Sequence, residues 1–289
     1  MSSSLRLQLP TPHEYFASLV AEDASLNLLE AAASIAQDEE PGLDVQAVIC
    51  QVETMASRLR ERLPPDAAPL HRLRVLNRFF HGELGFAGNI NNYYDSGNSY
   101  LHRVIASRRG IPISLAVIYL ELAGAIGLRA HGVSFPGHFL VNLRLPQGEV
   151  VLDPLSGESL SRADLEEALL PYRGQGAGQI ADLPLEQFLR PATPRQILAR
   201  MLRNLKEIHR SHGQWARLLP VQHRLVLLLP EDAAEFKERA EVEELLGLWE
   251  DACADLERYL ALSPQAADRR EVLTRLVGLR GRAGGPTLH

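Results

Sequence analysis

Ser114 is the one serine in the apolar run "GIPISLAVIYLELAGAIGLRA", residues 110–130. His138 follows between Gly137 and Phe139, and Asp153 closes "VVLD" fifteen residues further on. A hydroxyl, an imidazole and a carboxylate are the parts of a nucleophilic site. The imidazole takes the hydroxyl proton, and the carboxylate holds the imidazole in one tautomer. Pro112 fixes φ and lacks an N–H, which suits a first helical turn. Ser114 then sits where free N–H groups and the helix dipole favour an anion, such as the oxyanion of an attacked carbonyl. Each residue also has a plainer reading: a serine cap, a core histidine, and an Asp-Pro turn.

The segment "NINNYYDSGNSY", residues 89–100, is rich in turn formers and reads as a loop. Asn92, Tyr93 and Asn98 from this loop are candidate pocket-lining residues. So are Arg109 before the helix, Glu121 two turns into it, and Phe135 and Phe139 beside the histidine. Local backbone hydrogen bonding is the alternative for the loop residues, and solvation for Arg109 and Glu121. A metal site built on His131, His138 and Asp153 lacks ligand spacing, so no metal or other cofactor is expected.

These residues need a frame. Leucines and alanines at three- and four-residue spacing predict helices from Thr11 to about Arg62, broken at Pro41-Gly42. Another helix is expected over "LHRLRVLNRFFHGELGF", ending near Gly82 or Gly85. The run from Ser114 to Ala125 is helical, and His138 is expected to open a strand. "RAHGVSF", "HFLVNLRL" and "EVVLDPLSG" read as three short strands, two of them joined by a "PQGE" hairpin turn. "SRADLEEALL" restarts helix with a serine cap and acids in its first turn.

The last hundred residues have a period. Gly213, Trp215 and Pro230 recur 34 residues later as Gly247, Trp249 and Pro264. That spacing with those residue types matches a tetratricopeptide repeat. Helix pairs are expected between about 199 and 266, with a capping helix near 267–280. The domain boundaries expected are 1–192 for the site-bearing part with its N-terminal helices, 193–282 for the repeats, and 283–289 for a flexible tail.

Composition sets limits. The chain has 289 residues and a formal charge of −6, which argues against a broad nucleic-acid-binding surface. No 20-residue apolar span and no export signal are visible, so a cytoplasmic protein with no membrane contact is expected. Cys50 and Cys253 read as reduced, buried thiols.

Three motifs in order, "RRGIPISLAVIYLELA", "GVSFPGHFLV" and "LDPLSGE", resemble the bacterial SirB-type family. That family joins a transglutaminase-like domain to tetratricopeptide repeats, and the resemblance covers about residues 10–280. It implies an α+β fold: a helix-rich, papain-related core with a small antiparallel sheet, followed by all-α repeats. It also implies a catalytic order of helix-start nucleophile, histidine and aspartate, matched here by Ser114, His138 and Asp153. Active transglutaminase-like enzymes carry cysteine at the first position, and this chain carries serine. A hydroxyl needs far more general-base help than a thiolate. The expectation is therefore a degenerate, non-catalytic transglutaminase-like protein that binds a protein or peptide partner through its repeats. The alternative is a serine-dependent hydrolase or acyltransferase acting on peptides or amides. The sequence leaves the partner and the oligomeric state open.

Overall fold

Among the described residues helices dominate, and strands are confined to residues 87–160. The computed structural model describes residues 10–89, 92, 94–173 and 183–283. The expected flexible tail past 283 lies outside them. The described helices are α1 (Pro12–Leu19), α2 (Leu28–Ser34), α3 (Val45–Arg60), α4 (Pro69–Asn77), α5 (Leu101–Ser107), α6 (Pro112–Ala125), α7 (Arg162–Arg173), α8 (Leu185–Phe188), α9 (Pro194–Ser211), α10 (Trp215–Leu228), α11 (Ala233–Leu245), α12 (Trp249–Leu262) and α13 (Arg269–Ala283). The strands are β1 (Ala87–Gly88), β2 (Arg109–Gly110), β3 (Arg129–Val133), β4 (Leu140–Leu145), β5 (Gly148–Leu152) and β6 (Ser159–Leu160).

One packed unit comprises the described parts of residues 26–36 and 42–201. Its centre is α6, whose residues 111–119 are all buried. A helix apolar on every side has to be enclosed, and α2, α3, α4, α5 and the sheet all pack on it. The sheet is antiparallel in the order β3-β4-β5-β6. Its register pairs Val133 with Leu140, Leu145 with Gly148, and Leu152 with Ser159. β4 is interior, and Leu140 to Leu143 are buried on both of its faces. A short fourth strand, β6, extends the expected three. A separate pair, β1 with β2, is parallel and sets the chain just before α6. The helix expected over residues 70–86 stops at Asn77 and continues as a π-helical turn, Arg78–Glu83.

The other unit comprises the described parts of residues 1–25, 37–41 and 202–289. Its turns repeat at the expected period. Gly213 and Gly247 have φ of +63° and +77°, a region glycine enters without steric cost. The residues that follow, Gln214 and Leu248, share φ/ψ near −86°/60° and −88°/68°. Trp215 and Trp249 then begin α10 and α12. Ala240, Leu256, Leu260, Val272 and Leu276 form a core under α11, α12 and α13.

Residues 10–25 and 37–41, grouped by sequence with the site-bearing domain, pack with the repeats. Arg224 on α10 is fully buried. Its guanidinium grips Asp38 at 2.6 and 2.8 Å and lies 4.8 Å over the Phe16 ring. A charge buried this far needs a paired acceptor, which draws the N-terminal segments onto α10. Cys253 is buried as expected, but Cys50 is exposed. Among the described residues no helix is long and apolar enough to cross a membrane.

Candidate functional site

Ser114 is the third residue of α6, and none of it is exposed. Its Oγ donates to the carbonyl of Asn98 at 2.6 Å and lies 3.0 Å from that of Ile111. The same oxygen accepts the Ile111 N–H at 3.1 Å. The hydroxyl thus caps its own helix and ties it to the 3₁₀ turn Ser96–Ser99. Gly110 makes room for it, because a Cβ there would stand 2.7 Å from Ser114 Oγ. Among the described residues no hydrogen bond joins Ser114 to His138.

His138 lies in the turn before β4 rather than in a strand. Gly137 at φ +67° makes that turn, the His138 N–H closes it on the Phe135 carbonyl, and β4 begins only at Leu140. Asp153 directly follows β5, as the sequence predicted. Nε2 of His138 is 3.1 Å from Asp153 Oδ1, an ion-pair distance at which the ring N–H is not aligned for a full hydrogen bond. The same Oδ1 accepts the Leu155 N–H at 2.8 Å, which folds residues 153–157 into a tight turn. Burial pushes the Asp153 carboxyl up, but His138 and the Leu155 N–H outweigh it and hold the pKa below the ordinary value.

Three residues at this turn carry no sequence signal. The π-helical turn presents His81, whose Nδ1 meets the Phe86 carbonyl at 3.0 Å. That bond makes Nδ1 the protonated nitrogen and leaves Nε2 a buried lone pair without a partner. Gly157 faces this edge, since a Cβ there would stand 2.7 Å from His81 Nε2. Burial lowers the His81 pKa, against the opposing pull of the Phe86 carbonyl and Asp153. Asn77 Nδ2 donates to the Gly157 carbonyl at 3.1 Å, and its Oδ1 accepts from Tyr119 on α6. A π-turn often marks a functional position, and this was the signal a sequence could not display.

The other candidates scatter. Asn98 is buried and is held by its side chain to Asn89 and Asn92. Asn92 itself is exposed and donates to Asp95. Tyr93 lies outside the described residues. Arg109 is exposed and donates to the Gly85 and Arg108 carbonyls, and so braces the loop. Glu121 is exposed, seven residues further along α6 than the buried Ser114. Phe135 and Phe139 are core residues, the latter resting on Gly132, where a Cβ would stand 2.6 Å from the ring. Among the described residues no three His, Cys, Asp or Glu side chains are placed to hold a metal.

A buried helix-start residue, a histidine turn and an aspartate closing a strand stand in the order expected from sequence. Residues 46–203 match the family described as the transglutaminase-like superfamily. The chain belongs to that superfamily. Residues 205–277 match the tetratricopeptide repeat, in agreement with the paired helices. A UPF0162 protein of Xylella fastidiosa is 37% identical over 259 residues, 89% of this chain and 92% of that one. A UPF0162 protein of Pseudomonas aeruginosa is 31% identical over 86% of this chain and 89% of its own. Protein SirB1 of Salmonella typhimurium is 26% identical over 76% of this chain and 80% of its own. No solved structure matches the chain. The SirB-type resemblance read from the three motifs is therefore the chain's family, with transglutaminase-like and repeat parts in the expected order.

Proposed function

We propose that this transglutaminase-like protein does no chemistry at Ser114 and works in the bacterial cytoplasm as a regulatory protein that binds a protein partner through its repeats. The observation that carries this reading is the commitment of the Ser114 hydroxyl to the Asn98 carbonyl inside a fully buried helix start. A nucleophile must reach its substrate and pass its proton to a base. Here that would require breaking the cap of α6 first. The partner reading rests on the repeats, whose stacked helices build surfaces that hold helices or extended peptides. Leu245 is 60% exposed and Val277 72% exposed, so the repeat unit offers apolar contact to a partner. Ser114, His138 and Asp153 are read as an inherited site frame, with Asp153 orienting His138.

One observation favours the alternative of a serine hydrolase: His138 and Asp153 keep their close approach. A fluorophosphonate probe decides between the two. The proposal expects no labelling of the wild-type chain. Labelling of wild type that is lost in both Ser114→Ala and His138→Ala would establish the hydrolase.

A further inference from the structure

Arg129 on β3 and Arg144 on β4 are direct cross-strand partners. Such partners place their Cβ atoms about 4.5–5.5 Å apart on one face, and like charges there destabilise a sheet. Both side chains are exposed, and among the described residues neither guanidinium has an ion pair or a hydrogen-bond acceptor. The acid best placed to neutralise them is Glu149, opposite Arg144 on β5. Its Oε2 instead accepts from Asn142 at 3.0 Å. Charges on an edge strand can serve to block unwanted strand pairing, and that would account for Arg129. It does not account for Arg144, because β4 is interior.

The two guanidiniums open on a cavity of about 370 Å³, whose other walls include Pro69, Leu128, Leu145 and Pro146. Leu128 and Leu145 are themselves buried, so the floor is apolar. The carbonyl end of α6 lies nearby and would repel an anion. Arg72 covers it, donating to the Ile126 carbonyl at 2.7 Å and to that of Ala67 at 2.8 Å. Two arginines therefore line this cavity, while the chain as a whole carries −6.

The geometry points to a binding site for a small organic anion, a carboxylate or phosphate carried on an apolar body. Arg129 and Arg144 clamp the acid group, and the Leu–Pro floor takes the body. Arginine forks suit both acids, since each oxygen can accept a separate N–H. The cavity volume falls within the range of small-molecule sites. The bound anion also removes the repulsion built into the β3–β4 ladder. This site is independent of the Ser114 region.

The test is calorimetric titration of the full chain at low ionic strength with inorganic phosphate, benzoate and phenyl phosphate. Saturable one-to-one binding is expected, tighter for phenyl phosphate than for phosphate. Arg129→Gln and Arg144→Gln should each weaken it about tenfold or more, and Glu149→Gln should strengthen it. Phenyl phosphate should raise the melting temperature of wild type and not that of Arg144→Gln. Without ligand, Arg144→Gln should melt no lower than wild type, because it removes a like-charge pair and leaves the core intact. Absence of saturable binding by all three probes overturns the site, as does undiminished binding to Arg144→Gln. Equal affinity for phosphate and phenyl phosphate overturns the apolar half of the proposal.

Discussion

The start of α6 and the turn after β5 treat their polar groups in opposite ways. At Ser114 the hydroxyl donates to one backbone carbonyl, accepts one backbone N–H, and is sealed from solvent. At the turn the His138 and Asp153 side chains remain 29% and 24% exposed, and His81 keeps an unpartnered nitrogen. Satisfied buried polar groups specify structure, whereas under-satisfied ones near solvent are where a ligand or proton can be engaged. The Ser114 hydroxyl is part of the scaffold. The turn keeps polar groups that the fold does not fully satisfy.

The largest effect expected from this contrast is on stability. Ser114→Ala strands the Ile111 N–H in the interior and removes a hydrogen bond to the Asn98 carbonyl, and should cost about 2–4 kcal/mol in urea unfolding. His138→Ala removes a part-exposed ring and should cost less than about 1 kcal/mol. The reverse order would break the comparison. Next is Gly157→Ala. It forces a side chain to φ +75° and drives its Cβ to within 2.5 Å of the His81 ring. A loss of about 1–3 kcal/mol is expected, and His81→Ala in the same chain should recover part of it.

A smaller effect concerns pH. The Asp153 carboxyl has a lowered pKa in the folded chain, so its contribution to stability is present above the unfolded value of about 3.9 and lost as pH falls below it. Urea midpoints between pH 5 and 3 should drop less steeply in Asp153→Asn than in wild type. The smallest effect is that of His81, whose folded pKa is also lowered. For a base this means the neutral form is favoured by folding. Its contribution is intact above about 6.5 and declines as pH falls from there toward the folded value. His81→Gln should flatten that stretch of the stability profile, as urea midpoints followed from pH 7 to 5 would read.

Local signals made much of this legible. Pro112 announced α6, and glycine and tryptophan at a fixed period announced the repeats, because a turn needing positive φ writes itself into the sequence. The helix start at Ser114 was readable from Pro112. What Ser114 does was not, because its acceptor on Asn98 comes from a loop sixteen residues away. β6 has two residues, too few to show an alternation. His81 reaches the site through a π-turn, which has no periodicity of its own. Arg224 and Asp38 are 186 residues apart, and only tertiary packing pairs them. The place of Phe135 and Phe139 beside His138 suggests a pocket lining, and both are core residues. Their alternation along the chain could not tell a cavity wall from a core.

The central claim is that position 114 is sealed. The most direct measurement places a thiol there, in a Cys50→Ser background that removes the exposed cysteine. Ellman's reagent is then followed under native conditions, with the modified peptide identified by mass spectrometry. The account predicts that Ser114→Cys reacts only as fast as the chain opens, at a rate unchanged by His138→Ala and increased by urea. Rapid native-state reaction of Cys at 114 that is lost in His138→Ala would contradict it.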